Sequence, residues 1–254
     1  MLRFKRREQD QVSGPAEPYW KQRSWQLSAG FLGLVFLVGG ISTLTSGHGG
    51  GGGSATAKAS DGPHISTVTK DGRPAGCSTD DSAGDTVPKA APKDIRWRTL
   101  GVARVPVSAS AGPTRFDGEL WWCFAHTPDG AVLAANVIPS QMSGSQWRTI
   151  TEQQVVAGRG REMWEFQRAT VQNVDSAADT DAPVASYVGF SVKSYTSKAA
   201  SVRLLIKGSQ GFAATTIDLR WNGGDWKVLP DGGGALHSSV SSVTNTNGFV
   251  LWGA

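Results

Sequence analysis

A chain of 254 residues, 39% of them apolar, supports one modest hydrophobic core and not two large ones. Its formal net charge of +4 is dispersed: Met1 to Trp25 carries six Lys/Arg against three Asp/Glu, and Ile95 onward carries fourteen against twelve. So dispersed a charge points to no nucleic-acid partner, and two cysteines 46 positions apart with four scattered histidines make no zinc motif.

Between Arg23 and Lys58 there is no Lys, Arg, Asp or Glu, and Leu27 to Leu44 reads LSAGFLGLVFLVGGISTL. A run of that length is about the minimum that crosses a hydrocarbon layer ~30 Å thick as a helix. A buried helix of a water-soluble domain would carry a polar stripe, whereas the polar residues here are only Ser and Thr, which lipid tolerates. The expectation is a cytoplasmic basic segment over 1–25, a transmembrane helix over 26–45 and an extracytoplasmic remainder. The cations that precede the span set this orientation, and Trp20 and Trp25 fall at the level of an interfacial aromatic belt. A cleaved signal peptide is the competing reading, but the nearest A-x-A, Ala55 to Ala57, lies well past the apolar run. A retained single-pass anchor in the cell membrane is expected.

Residues 46–94 are dominated by Gly, Ser, Thr, Ala, Pro and Asp, with too few large apolar side chains to offset the entropy of ordering them, which predicts a flexible stalk. Cys77 and Cys123, the only cysteines, both fall on the side expected to be extracytoplasmic, where thiols tend to pair. Either they bridge and tie the outer stalk to the folded domain, or they are unrelated thiols, with Cys123 buried among aromatics.

The folded domain is expected over 95–254. IRWRTLGVARVPVS and GELWWCF read as strands or extended arms, held to edges or loops by Pro106 and Pro113. In WWCFAHTPDGAVLAANVI, Thr127 suits a helix N-cap, Pro128 the first helical position, and Asp129 the first turn, where exposed amides favour negative charge. A mostly apolar helix should run from there to a stop at Pro139. Two further helices are predicted near 146–157 and 161–170, separated by the breaker GRG, with Trp147, Ile150, Met163 and Phe166 as core contacts.

The clearest pattern is the alternation from Val184 to Pro230. It places Val202, Leu204 and Ile206 on one face, and the GSQG turn brings Ile206 opposite Ala213 and Val202 opposite Ile217. Leu219 and Trp221 continue that face; the hairpin signal WNGGDW pairs Trp221 with Trp226 and Leu219 with Val228. Upstream, Val188, Phe190 and Val192 join the same face if Val192 opposes Val202, which requires an odd-length turn or a bulge near Ser197. A four-stranded antiparallel meander with one apolar face, covered by helices, follows: an α+β domain.

Cys123, His126 and Asp129 also invite an enzyme reading, with a nucleophile beside an acid/base pair. Catalytic Cys/His pairs usually come from distant chain positions, however, and capping accounts for these residue types at this spacing. No phosphate loop, G-x-S-x-G or dinucleotide fingerprint is present. No catalytic residue, cofactor or metal ligand is expected.

The order of basic stub, single anchor, stalk, helices and meander resembles the bitopic assembly subunits of type IV secretion and Gram-positive conjugation channels. FAHTPDGAVLAA, Phe124 to Ala135, and GFVLWGA, Gly248 to Ala254, are similar to segments of membrane-anchored proteins of actinobacterial mobile elements. The resemblance implies a cystatin-like, or nuclear-transport-factor-2-like, extracytoplasmic fold. It also implies a non-enzymatic scaffold that contacts other proteins of a membrane complex and can self-associate. The alternative it leaves is a small-molecule-binding or enzymatic domain using the concave side of the same fold.

Overall fold

The computed structural model describes residues 72–101, 103–171 and 186–253. The basic segment, the apolar span and the stalk up to residue 71 lie outside them. Among the described residues no helix is long and apolar enough to cross a membrane.

The domain is α+β, mostly sheet with few helices. Its centre is an antiparallel meander of β5 (Ser186–Thr196), β6 (Ala199–Gly208), β7 (Gly211–Asn222) and β8 (Asp225–Val228). Ile206 lies opposite Ala213, Val202 opposite Ile217, Leu219 opposite Val228 and Trp221 opposite Trp226, the register that the alternation gives. Val202, Leu204, Ile206, Ile217, Leu219, Trp226 and Val228 are buried on this face, and Trp221 packs against it half-buried.

β5 joins with two irregularities. The turn after it is tight, pairing Thr196 with Ala199, which by itself would set Val192 opposite Arg203. A register shift at Lys193 absorbs one residue and brings Val192 opposite Val202. The required bulge therefore exists, but inside the strand rather than near Ser197. A second shift at Val188 corrects the expected face: Tyr187 pairs with Ile206 and packs on the core, while Val188 is the extra residue and leaves that row. Each bulge reverses the in-out alternation beyond it, which a strict period of two cannot foresee.

The apolar face is covered by α1 (Pro128–Ser140), whose residues are buried apart from Asp129 and Ser140 at its ends. α1 packs on β5 to β8 from one side. From the other it meets β2 (Ala103–Val107), which forms a hairpin with β1 (Arg96–Leu100), and β4 (Leu120–Trp122), which pairs with β3 (Arg115–Asp117). Enclosure on both sides is why the helix carries no polar stripe. Pro139 does not stop it. The helix includes Pro139 and Ser140 and runs into a 3₁₀ turn, Gln141–Ser143, because Gln141 N–H reaches the carbonyls of Val137, Ile138 and Pro139.

α2 (Trp147–Gln154) and α3 (Arg159–Arg168) follow, the latter beginning within GRG. Phe166, expected in the core, is 73% exposed. The rotation of α3 is set by two polar anchors instead. Trp164 Nε1 donates to Thr151 Oγ1 at 3.0 Å, and Arg168 donates to the carbonyls of Met142 and Ser143 at 2.8 and 3.0 Å. Two residues along a helix is slightly more than half a turn, so burial of Trp164 sends Phe166 outward.

The C-terminal segment closes the domain. β9 (Ser241–Val243) pairs with the start of β7, and β10 (Val250–Leu251) pairs with β5. Trp252 then packs between Phe190, 4.6 Å away by ring centres, and Trp97 of β1 at 6.2 Å.

Candidate functional site

The residues singled out by sequence converge on one corner, where residues 123–127 lead into α1. Thr127 has extended backbone, and its hydroxyl accepts from Gly130 N–H at 3.2 Å, with Pro128 at the first helical position and Asp129 in the first turn. Gly130 is demanded by space: a Cβ there would collide with the Ala125 carbonyl, which folds back over the first turn.

This lead-in segment is held from four directions. Asp225, at the start of β8, accepts from the N–H groups of Cys123 at 2.7 Å, Phe124 at 2.9 Å and Trp226 at 2.9 Å. Trp226 Nε1 donates to the Ala125 carbonyl at 2.9 Å, and Tyr195 OH donates to the His126 carbonyl at 3.2 Å. His126 N–H donates to Asp81, and its ring stacks on Trp221 with centroids 3.9 Å apart and planes 12° from parallel. Cys123 itself takes a left-handed φ of 72°, the one described non-glycine residue to do so. A conformation this uncommon persists where the surroundings over-determine it, as these partners do.

The fourth direction is the chain before β1, and it corrects the stalk. Composition assigned 46–94 to a flexible linker, yet residues 72–94 form a strap docked on the domain. Cys77 is joined to Cys123 by a disulfide with Cα atoms 5.4 Å apart. Arg73, buried, donates to the Phe124 carbonyl and to Thr79, lies 2.9 Å from Asp81 and sits 5.4 Å from the Trp221 ring centre. The Asp80 amide donates to the Ser110 carbonyl at 2.8 Å. Asp94 accepts from the Ser108 and Ser110 hydroxyls and from Ser110 N–H. Low hydrophobicity did not prevent docking, because a covalent bridge and charged hydrogen bonds hold the strap where apolar burial does not.

The electrostatics follow from this packing. Burial pushes Asp225 up to about 6, although the three N–H donors and the Arg73 charge pull the other way. Asp129 is raised by burial and then by the charge of Asp94. Burial acts to raise Asp94 too, but its bonds from Ser110 and Ser108 hold it below the usual carboxylate range.

Structure thus gathers Cys123, His126 and the cap but gives each a holding role: the Cys123 sulfur is in the bridge and His126 is stacked, with Nε2 against the Ser197 carbonyl. Among the described residues no group of three His, Cys, Asp or Glu is placed to hold a metal ion. Arg73, Asp225 and Tyr195 were missed from sequence. Asp225 reads locally as a turn residue and Arg73 as linker, and nothing within either stretch points to a partner some 50 or 100 positions away. Asn136, in the middle of α1, also gave no signal; it is wholly buried with neither amide atom bonded.

A family model described as a domain of unknown function, DUF8175, matches residues 58–251, taking in both the strap and the C-terminal strand. No curated protein and no solved structure matches the chain.

Proposed function

We propose that this chain, which belongs to the DUF8175 family, is a membrane-anchored extracytoplasmic scaffold that works by protein–protein contact in a conjugative-transfer or type IV secretion-like complex. The observation that carries the reading is the Cys77–Cys123 bridge. Structural disulfides form and persist where thiols are oxidised, outside the cytoplasm, and that is the side to which the basic flank of the apolar span assigns the domain. The bridge also fixes the strap to the segment that leads into α1, so that force or position at the anchor is passed to the folded domain. The bulged antiparallel sheet with α1 across it supports a cystatin-like or nuclear-transport-factor-2-like plan. The hairpins β1–β2 and β3–β4, laid over the far side of α1, are additions to that plan.

The test is topological. In intact protoplasts, external protease should degrade the domain, and carbonate washing should leave the protein in the membrane. A protected domain, or release by carbonate, overturns the reading. Crosslinking in native membranes should give higher-mass species; monomers alone would count against a scaffold. A ligand-binding use of the same fold is favoured by a single observation, the unbonded amide of Asn136 inside the core.

A further inference from the structure

The β3–β4 ribbon has a guanidinium stacked against the aromatic rings of each of its faces. The ribbon supplies Arg115 and receives Arg98 from β1, while its own acids, Asp117 and Glu119, accept from Trp122 Nε1 and Gln146 N–H. The Arg98 guanidinium lies 4.4 Å from the Phe116 ring centre and 5.0 Å from that of Trp121. Arg115 lies 5.9 Å from Trp122. Phe116 pairs with Trp121 and Arg115 with Trp122, so the two pairs face opposite sides of the ribbon and one guanidinium stands on each. Neither arginine makes an ion pair among the described residues. A ring beneath a guanidinium holds it in place and leaves in-plane N–H donors for a carboxylate. β3 is exposed along its length, pairs with β4 alone among the described residues, and shows Phe116 at 39% exposure.

We propose that the outer edge of β3 receives an extended acidic segment of a partner protein, with Arg98 and Arg115 taking carboxylates on either side of Phe116. Successive side chains of an extended segment point to opposite faces, so neighbouring acidic residues reach the two arginines together. Asp117 and Glu119 at the ribbon's turn disfavour a continuous polyanion, whether nucleic acid or a layer of lipid phosphates, and tolerate spaced carboxylates. Phe116 and the arginines match the composition that dominates binding energy in protein interfaces. This assigns a partner chemistry to the scaffold reading and rests on it, but the two fail separately: protease and carbonate assays decide topology, peptide binding decides the edge.

The full chain in phosphatidylcholine nanodiscs is titrated against fluorescein-labelled hexaglutamate, with hexalysine as control, by anisotropy at low salt. Saturable hexaglutamate binding is expected, weakened about tenfold by combined Arg98→Gln and Arg115→Gln and unaffected by Lys207→Gln on the far sheet. Arg98→Lys with Arg115→Lys keeps the charge and loses the planar stack, and should weaken binding less. Thermal melting of each variant shows that the fold is intact. Absence of hexaglutamate binding at millimolar concentration overturns the proposal, as does an equal loss from Lys207→Gln. Displacement of the peptide by phosphatidylglycerol nanodiscs through the same two arginines would make the edge a lipid site instead.

Discussion

Asp225 holds Cys123 and Phe124 in place at a cost that depends on pH. Its folded value of about 6 lies above the ~3.9 of an unfolded aspartate, so the folded state binds the proton more readily between those values. Its contribution to stability is therefore greatest below about pH 4 and is lost as pH rises through 6, a difference on the order of 3 kcal/mol. In urea unfolding, the stability of the native chain relative to Asp225→Asn should rise from pH 7.5 to pH 5; a difference independent of pH would contradict this assignment. Asn136 makes a simpler case. Its shape is close to leucine, and its buried amide has no partner, so Asn136→Leu should raise stability by about 1–3 kcal/mol. A loss of stability instead would reveal that water or a ligand serves the amide. Neither residue's situation could be read locally, since burial of a polar group is decided by what packs over it.

At the scale of elements the strap is the unexpected feature. Removing the bridge with Cys77→Ser and Cys123→Ser frees a loop closed over a separation of 46 residues and should cost about 4 kcal/mol in chemical denaturation under oxidising conditions. The β7–β8 turn supplies a second contact with the strap. Gly224 has φ of 78°, and a Cβ there would run into Gly72 and Arg73. Gly224→Ala should thus lift the strap, seen as faster protease cleavage before Cys77, with about 1 kcal/mol of added backbone strain. Gly-Gly in WNGGDW was legible as a hairpin turn. Its second task, making room for a segment about 150 positions earlier, was not.

The whole molecule is held together by a helix enclosed on both sides and by a C-terminal residue that joins the two enclosing layers. Trp252, 6% exposed, touches Phe190 of the sheet and Trp97 of the β1–β2 hairpin. Trp252→Ala should cost about 3–5 kcal/mol and broaden the thermal transition as the hairpin loosens from the sheet. Unchanged melting would show that the layers cohere without it. The sequence by itself determined the meander, its register from Val202 to Val228, and the start of α1, because alternation, turn chemistry and capping act between residues close along the chain. Only the tertiary structure decided the docking of the strap, the reversal of Val188 by a bulge, the outward turn of Phe166 and the partners of Arg73 and Asp225. Those outcomes depend on which distant surfaces meet, and a hydrogen bond or a ring stack across a hundred positions leaves no periodic trace in the residues that make it.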